Sequence, residues 1–142
     1  MLDQVSAPRV NTADNEAAHR ILVVVAEDDA DMRELIAHHL RRHGIEVVEA
    51  VDGVELALVL QGLAADPGRR VVVLSDVHMP GRDGLDVLRE ARMLMPHVPV
   101  LMMSASGDSS TRAAATQLGA VAMLEKPLDL VGLERRIVES VG

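Results

Sequence analysis

Ile21-Leu22-Val23-Val24-Val25-Ala26 is an unbroken apolar run that stops on Glu27-Asp28-Asp29. A strand with one wet face alternates apolar and polar residues, so an unbroken run reads as a strand covered on both faces, as in parallel sheets flanked by helices. The pattern recurs along the chain. Val71-Val72-Val73-Leu74-Ser75 leads into Asp76, residues 98–103 lead into Ser104, and residues 121–125 lead into Lys126-Pro127. Each run ends on a polar side chain that chemistry can use, and open α/β sheets place their sites just beyond the carboxyl ends of such strands.

Helical segments separate the runs. Met32, Leu35, Ile36 and Leu40 mark the inner stripe of a first helix, capped at its start by Asp29 or Asp31 and ended by Gly44 as a left-handed cap. Residues 45–50 read as a second strand, and residues 52–65 as a helix closed by Asp66-Pro67-Gly68. After a Pro80-Gly81 loop, Asp83 caps a helix over 84–95, with Leu85, Leu88, Ala91 and Met95 on one side. Residues 108–118 favour helix through Ala113-Ala114-Ala115 but supply little apolar grip; the last helix, 129–141, buries Leu130, Leu133, Ile137 and Val141. Residues 1–19 show no steady apolar period and read as a flexible N-terminal tail, leaving residues 20–142 as one domain.

Alternating strands and helices joined by right-handed crossovers predict an α/β fold: a doubly wound five-stranded parallel sheet, helices on both faces, in the flavodoxin-like order 2-1-3-4-5. The first and third strands are then neighbours at the switch point, which carries Glu27, Asp28 and Asp76.

Composition narrows the chemistry. The 142 residues include no cysteine, so thiol catalysis and cysteine-ligated zinc are excluded. A formal net charge of −8 argues against direct nucleic-acid or anionic-membrane binding. No apolar stretch is long enough to span a bilayer and no export signal is evident, so a cytoplasmic protein is expected. With no Phe, Tyr or Trp, the core must be filled by aliphatic residues and eight Met, and no ring is available for stacking on bases or sugars.

Taken in order, Ile21–Ala26 with Glu27-Asp28-Asp29, then Arg33-Glu34-Leu35-Ile36, Leu74-Ser75-Asp76-Val77-His78-Met79-Pro80-Gly81-Arg82-Asp83-Gly84-Leu85, Pro99-Val100-Leu101-Met102-Met103-Ser104-Ala105 and Glu125-Lys126-Pro127 resemble the receiver domain of two-component response regulators. The resemblance runs from about residue 20 to the end of the chain and implies a phosphoacceptor rather than a turnover enzyme.

A carboxylate can form an aspartyl phosphate when a cation offsets the repulsion between two anions, and Asp76 is the candidate. Mg²⁺ commonly takes one or two carboxylates and keeps several waters, so Asp28 and Asp76 are the expected direct ligands, with Glu27 acting through water. The resemblance adds the backbone carbonyl of His78 as a ligand, not its imidazole. Lys126 offers a cation and Ser104 a hydroxyl to the phosphoryl oxygens. By the same resemblance Lys126-Pro127 is a cis peptide that points the lysine inward, and His78 and Ser106 match variable positions that set the lifetime of the phosphorylated state.

The implied partners are a sensor histidine kinase or histidine phosphotransfer protein docking on the first helix, and a downstream protein effector. Output or homodimerisation would use the fourth helix, fifth strand and fifth helix, around Met123, Arg135 and Arg136, although exposed arginines are more often a solvated face. The aromatic switch position of the family falls on Met123 and the aromatic often following Lys-Pro on Leu128; Ser104 is expected to couple to Met123 by packing. Because the sequence ends directly after the last helix, a stand-alone receiver is expected.

Two other classes remain open: a pseudo-receiver that binds protein without phosphorylation, and a haloacid-dehalogenase-type phosphohydrolase, which needs an acidic residue where this chain has His78. Isolated acidic residues after strands often merely cap helices, and a lone Ser104 or Lys126 would be unremarkable; four such ends in order are not. His38, His39 and His43 invite a metal reading, since His39 and His43 share a helix face, but without an acidic or cysteine partner in the pattern they are read as solvated.

Overall fold

The computed structural model describes residues 21–66, 68–81, 83–105 and 109–141. The tail, Pro67, Ser106 and Asp108 of the sequence reading lie outside them. Five strands, β1 (Ile21–Ala26), β2 (Glu46–Ala50), β3 (Arg70–Asp76), β4 (Val100–Ser104) and β5 (Ala122–Glu125), alternate with α1 (Ala30–Arg42), α2 (Gly53–Ala64), α3 (Gly84–Leu94), α4 (Ser109–Gln117) and α5 (Leu130–Ser140). All strand pairs are parallel and the order is β2-β1-β3-β4-β5, so the expected doubly wound sheet is present.

The apolar runs serve two cores at once. Leu22, Val24, Ala26, Val71, Val73, Val100 and Met102 join Leu56 and Leu60 of α2, Val87, Leu88 and Ala91 of α3, and Ala115 of α4. The alternate residues Ile21, Val23, Val25, Val72, Leu74, Leu101 and Met103 join Ile36 and Leu40 of α1 and Leu133 and Ile137 of α5. Side chains point alternately to the two faces of a strand, and here both faces are covered. Each fully buried aliphatic side chain contributes about 1.5–3 kcal/mol of transfer free energy, which lets a core without rings hold the sheet.

Local signals set the helix ends. Asp29 Oδ1 accepts from the Met32 N–H at 3.1 Å, and Asp83 Oδ1 from the Leu85 N–H at 2.9 Å, so both predicted caps form. Gly44 has φ +81°, with Gly44 N–H donating to the Arg41 carbonyl and Ile45 N–H to the Leu40 carbonyl, the paired bonds of a glycine-terminated helix.

The predicted stripe of α1 needs one correction. Leu35 is 51% exposed, while Ile36, Ala37 and Leu40 are buried. Successive helical residues are about 100° apart, and the stripe centred between Ile36 and Leu40 turns Leu35 outward and brings Ala37 in. Leu130 and Val141 are only partly buried beside the buried Leu133 and Ile137. In α4 only Ala115 is buried, in keeping with its weak apolar pattern.

Candidate functional site

The acidic end of β1 is fixed from three directions. Glu27 is 1% exposed; its Oε1 accepts from Lys126 Nζ at 2.6 Å and its Oε2 from the Asp29 N–H at 3.1 Å. Arg33, one turn into α1, donates to the Glu27 backbone carbonyl at 2.8 Å and to Glu49 Oε1 of β2 at 3.3 Å. Sequence reasoning gave Arg33 no role, because only the folded chain brings it back over the strand end. Asp28, between two anchored residues, is exposed.

At the end of β3, Asp76 is 6% exposed. Its Oδ1 accepts from the His78 N–H at 2.9 Å and its Oδ2 from Lys126 Nζ. The imidazole of His78 lies on an exposed residue, so the backbone of this position faces the site. The loop then passes so close that a Cβ on Gly84 would sit 2.7 Å from the Asp76 carbonyl oxygen and 2.8 Å from that of Val77. Glycine at 84 is therefore what lets α3 start directly against the strand end, a constraint that the sequence motif contains but does not explain.

The other two strand ends close the site. Ser104, 5% exposed, ends β4, and its carbonyl accepts from the Lys126 N–H at 2.8 Å, fastening the turn after β5 to it. The Lys126-Pro127 peptide is cis. From this turn the Lys126 side chain reaches both Glu27 and Asp76.

The electrostatics follow from the placement. Burial raises the Glu27 carboxyl above its ordinary range and the nearby Asp76 adds to the rise, while the bonds from Lys126 and the Asp29 N–H oppose it. For Lys126, burial alone acts to lower the ammonium; the bonds and charges of Asp76 and Glu27 outweigh it and hold the group above its usual value.

Glu27, Asp28 and Asp76 each offer a carboxylate oxygen within 4.8 Å of the others. Three carboxylates facing one ammonium leave a formal excess of two negative charges, and the donors are hard oxygens. That set fits a divalent magnesium ion, whose remaining positions would be taken by waters and phosphate oxygens, Asp28 being its exposed member.

The remaining predicted positions are distributed around this pocket. Met123 pairs in register with Met102 and packs, partly buried, against the core cluster that includes Ala115 of α4; Leu128 packs against the α1–α5 core. Arg135 and Arg136 are exposed. The reading of His39 and His43 as lacking an acidic partner is corrected: Glu134 of α5 lies beside both.

Residues 23–138 match the model of the response regulator receiver domain. The chain belongs to that family. Among curated relatives, the DNA-binding transcriptional regulator NtrC of Escherichia coli K12 is 33% identical over 111 residues, covering 78% of this chain and 23% of NtrC. The transcriptional regulatory protein FixJ of Azorhizobium caulinodans is 32% identical over 120 residues, covering 84% of this chain and 54% of FixJ. This receiver thus spans about a quarter and about half of those regulators. Among solved structures, a response regulator receiver domain from Clostridium thermocellum superposes with a TM-score of 0.76 at 27% identity, covering 85% of this chain and 94% of the other. Among the described residues, no helix of the receiver is long and apolar enough to cross a membrane.

Proposed function

We propose that this receiver accepts a phosphoryl group on Asp76 from a phosphohistidine of a sensor kinase or phosphotransfer protein, in a reaction that depends on Mg²⁺. The observation that carries the reading is the convergence of Glu27, Asp28 and Asp76 with the Lys126 ammonium at the β1–β3 switch point. An Asp76 oxygen attacks phosphorus as the P–N bond breaks; the electron pair leaves with the donor imidazole, which takes up a proton. Hydrolysis later places a water oxygen on phosphorus and returns the Asp76 carboxylate with inorganic phosphate.

Lys126 holds Asp76 before transfer and offers the same ammonium to a phosphoryl oxygen afterwards, so it exchanges one anion for another without leaving the pocket. The Ser104 hydroxyl, at the end of the adjacent strand, donates to a second phosphoryl oxygen. The His78 N–H fixes the carboxylate, and the carbonyl of the same residue, with Asp28 and Asp76, would hold Mg²⁺. When bound, that ion neutralises charge shared by the carboxylates and the incoming phosphoryl group. Glu27, buried and bonded to Lys126 and Asp29, acts through water and keeps the acidic wall in place.

The output surface is read as α4, β5 and α5. Ser104, drawn toward the phosphoryl group, changes the packing of Met123 against Met102 and the α4 cluster, and a protein effector or a second copy senses that face. The curated relatives carry transcriptional output in their names; for this receiver, direct nucleic-acid contact is not part of the proposal.

Intact-mass spectrometry after incubation with acetyl phosphate tests the reading. One phosphoryl adduct is expected with Mg²⁺, none after chelation, none in Asp76→Asn, and a strongly reduced yield in Asp28→Asn. An unmodified wild-type chain at every Mg²⁺ concentration, with the fold intact by circular dichroism, points instead to a protein-binding pseudo-receiver.

A further inference from the structure

His39 and His43 stand one turn apart on α1 and its cap, and Glu134 reaches them from α5. His39 Nε2 lies 3.1 Å from Glu134 Oε1, and His43 Nδ1 lies 3.5 Å from the same oxygen. The two rings are 4.5 Å apart between centroids. One donor atom from each of the three residues falls within 4.8 Å of the others. We propose that His39, His43 and Glu134 form a binding site for a divalent transition-metal ion of the zinc class, clasping α1 to α5.

The donor set and its surroundings support this chemistry. Two imidazoles and one carboxylate suit a borderline ion such as Zn²⁺ and discriminate against Mg²⁺, which asks for oxygen donors. Metal–ligand bonds near 2.0–2.1 Å at tetrahedral angles put donors roughly 3.4 Å apart, close to the 3.1 Å and 3.5 Å that separate Glu134 Oε1 from His39 Nε2 and His43 Nδ1. His43 Nδ1 also lies 2.8 Å from the His39 carbonyl oxygen, to which it donates, and metal binding at this nitrogen would replace that hydrogen bond. His39 and Glu134 are part-buried and His43 is exposed, so three protein ligands would leave one position for water. The site is independent of the phosphoacceptor pocket: Asp29 and His43 cap opposite ends of α1, roughly 20 Å apart at 1.5 Å per residue.

Zn²⁺ titration of the full chain in millimolar Mg²⁺, followed by calorimetry and by the NMR signals of the histidine rings, tests the proposal. One Zn²⁺ per chain is expected, moving the His39 and His43 ring signals but not those of His38 or His97. Affinity should fall at least about tenfold in His39→Gln, His43→Gln and Glu134→Gln, each with the wild-type circular dichroism spectrum and an unchanged phosphorylation yield. Absence of Zn²⁺ binding overturns the proposal. So does binding that survives all three substitutions, including binding lost only in Asp28→Asn, which would place the ion in the acidic pocket.

Discussion

Lys126 Nζ lies 2.6 Å from Glu27 Oε1, across 99 residues of sequence, while the same ammonium bonds Asp76 Oδ2. One cation on the last strand turn thus bridges the ends of β1 and β3 and offsets two buried carboxylates that would otherwise face each other. Lys126→Met should lower the unfolding free energy by about 1–3 kcal/mol by leaving buried acceptors without their donor. It should also slow phosphorylation by about a hundredfold, through loss of a preorganised donor to the phosphoryl oxygens. Urea unfolding with and without Mg²⁺ measures the first, and acetyl phosphate kinetics the second; a wild-type rate in the variant would remove Lys126 from the chemistry.

Two groups give the pocket opposite pH signatures in charge but the same sign in linkage. Glu27 is raised above 4.5 by burial, so its favourable contribution is present below that value and is lost as pH rises through its folded pKa. Glu27→Gln should therefore gain stability relative to wild type as pH climbs from acid toward neutrality in the absence of divalent ions. Lys126 is raised above 10.5, so its contribution is complete below that pH and disappears above it. Lys126→Met should flatten the alkaline limb. Urea midpoints across pH check both; parallel curves for wild type and Glu27→Gln would contradict the assignment of Glu27.

The strand ends were legible because burial on both faces writes them as apolar runs. The same uniformity hid which residues face which core: nothing in Val23-Val24-Val25 separates the α1–α5 side from the α2–α4 side, and only the fold does so. The α1 stripe was nearly right but took Leu35 for Ala37, since hydrophobicity alone favours the larger side chain. Arg33 on the Glu27 carbonyl and Glu134 beside His39 escaped notice for different reasons. The first is a side chain reaching backbone, which leaves no residue-type pairing to find. The second joins groups 95 positions apart in the chain.

The proposed docking of the donor on α1 can be tested at an exposed apolar residue of that helix. Leu35, 51% exposed, sits on the helix expected to meet the phosphohistidine protein. Leu35→Asp should slow transfer from a phosphohistidine partner about tenfold, which would place Leu35 among the minority of contact residues worth more than about 1 kcal/mol, while leaving acetyl phosphate kinetics unchanged. Equal slowing with both donors would place the effect in the pocket rather than at a docking face.

The proposed switch would have a methionine at the position where the resemblance to receivers puts a ring. Met123 packs against the cluster containing Met102 and Ala115, and Ser104 lies two residues beyond Met102 on the same strand, the placement on which the proposed relay to α4 rests. With a phosphoryl mimic such as beryllofluoride bound, the Met123 methyl and α4 amide signals should move together, and Ser104→Ala should abolish the α4 shifts while the Asp28 and Asp76 signals still respond. Unchanged Met123 and α4 signals in the loaded wild-type protein would rule out this relay.

Residue-level trapping of the acyl phosphate bears on the central claim most directly. After reaction with acetyl phosphate and Mg²⁺, borohydride reduction converts an aspartyl phosphate to homoserine, which peptide sequencing by mass spectrometry locates. Homoserine at position 76 alone, absent when Mg²⁺ is chelated, is the expected result. Homoserine at Asp28 or another acidic residue, or none anywhere in a folded chain, would contradict an Asp76 phosphoacceptor.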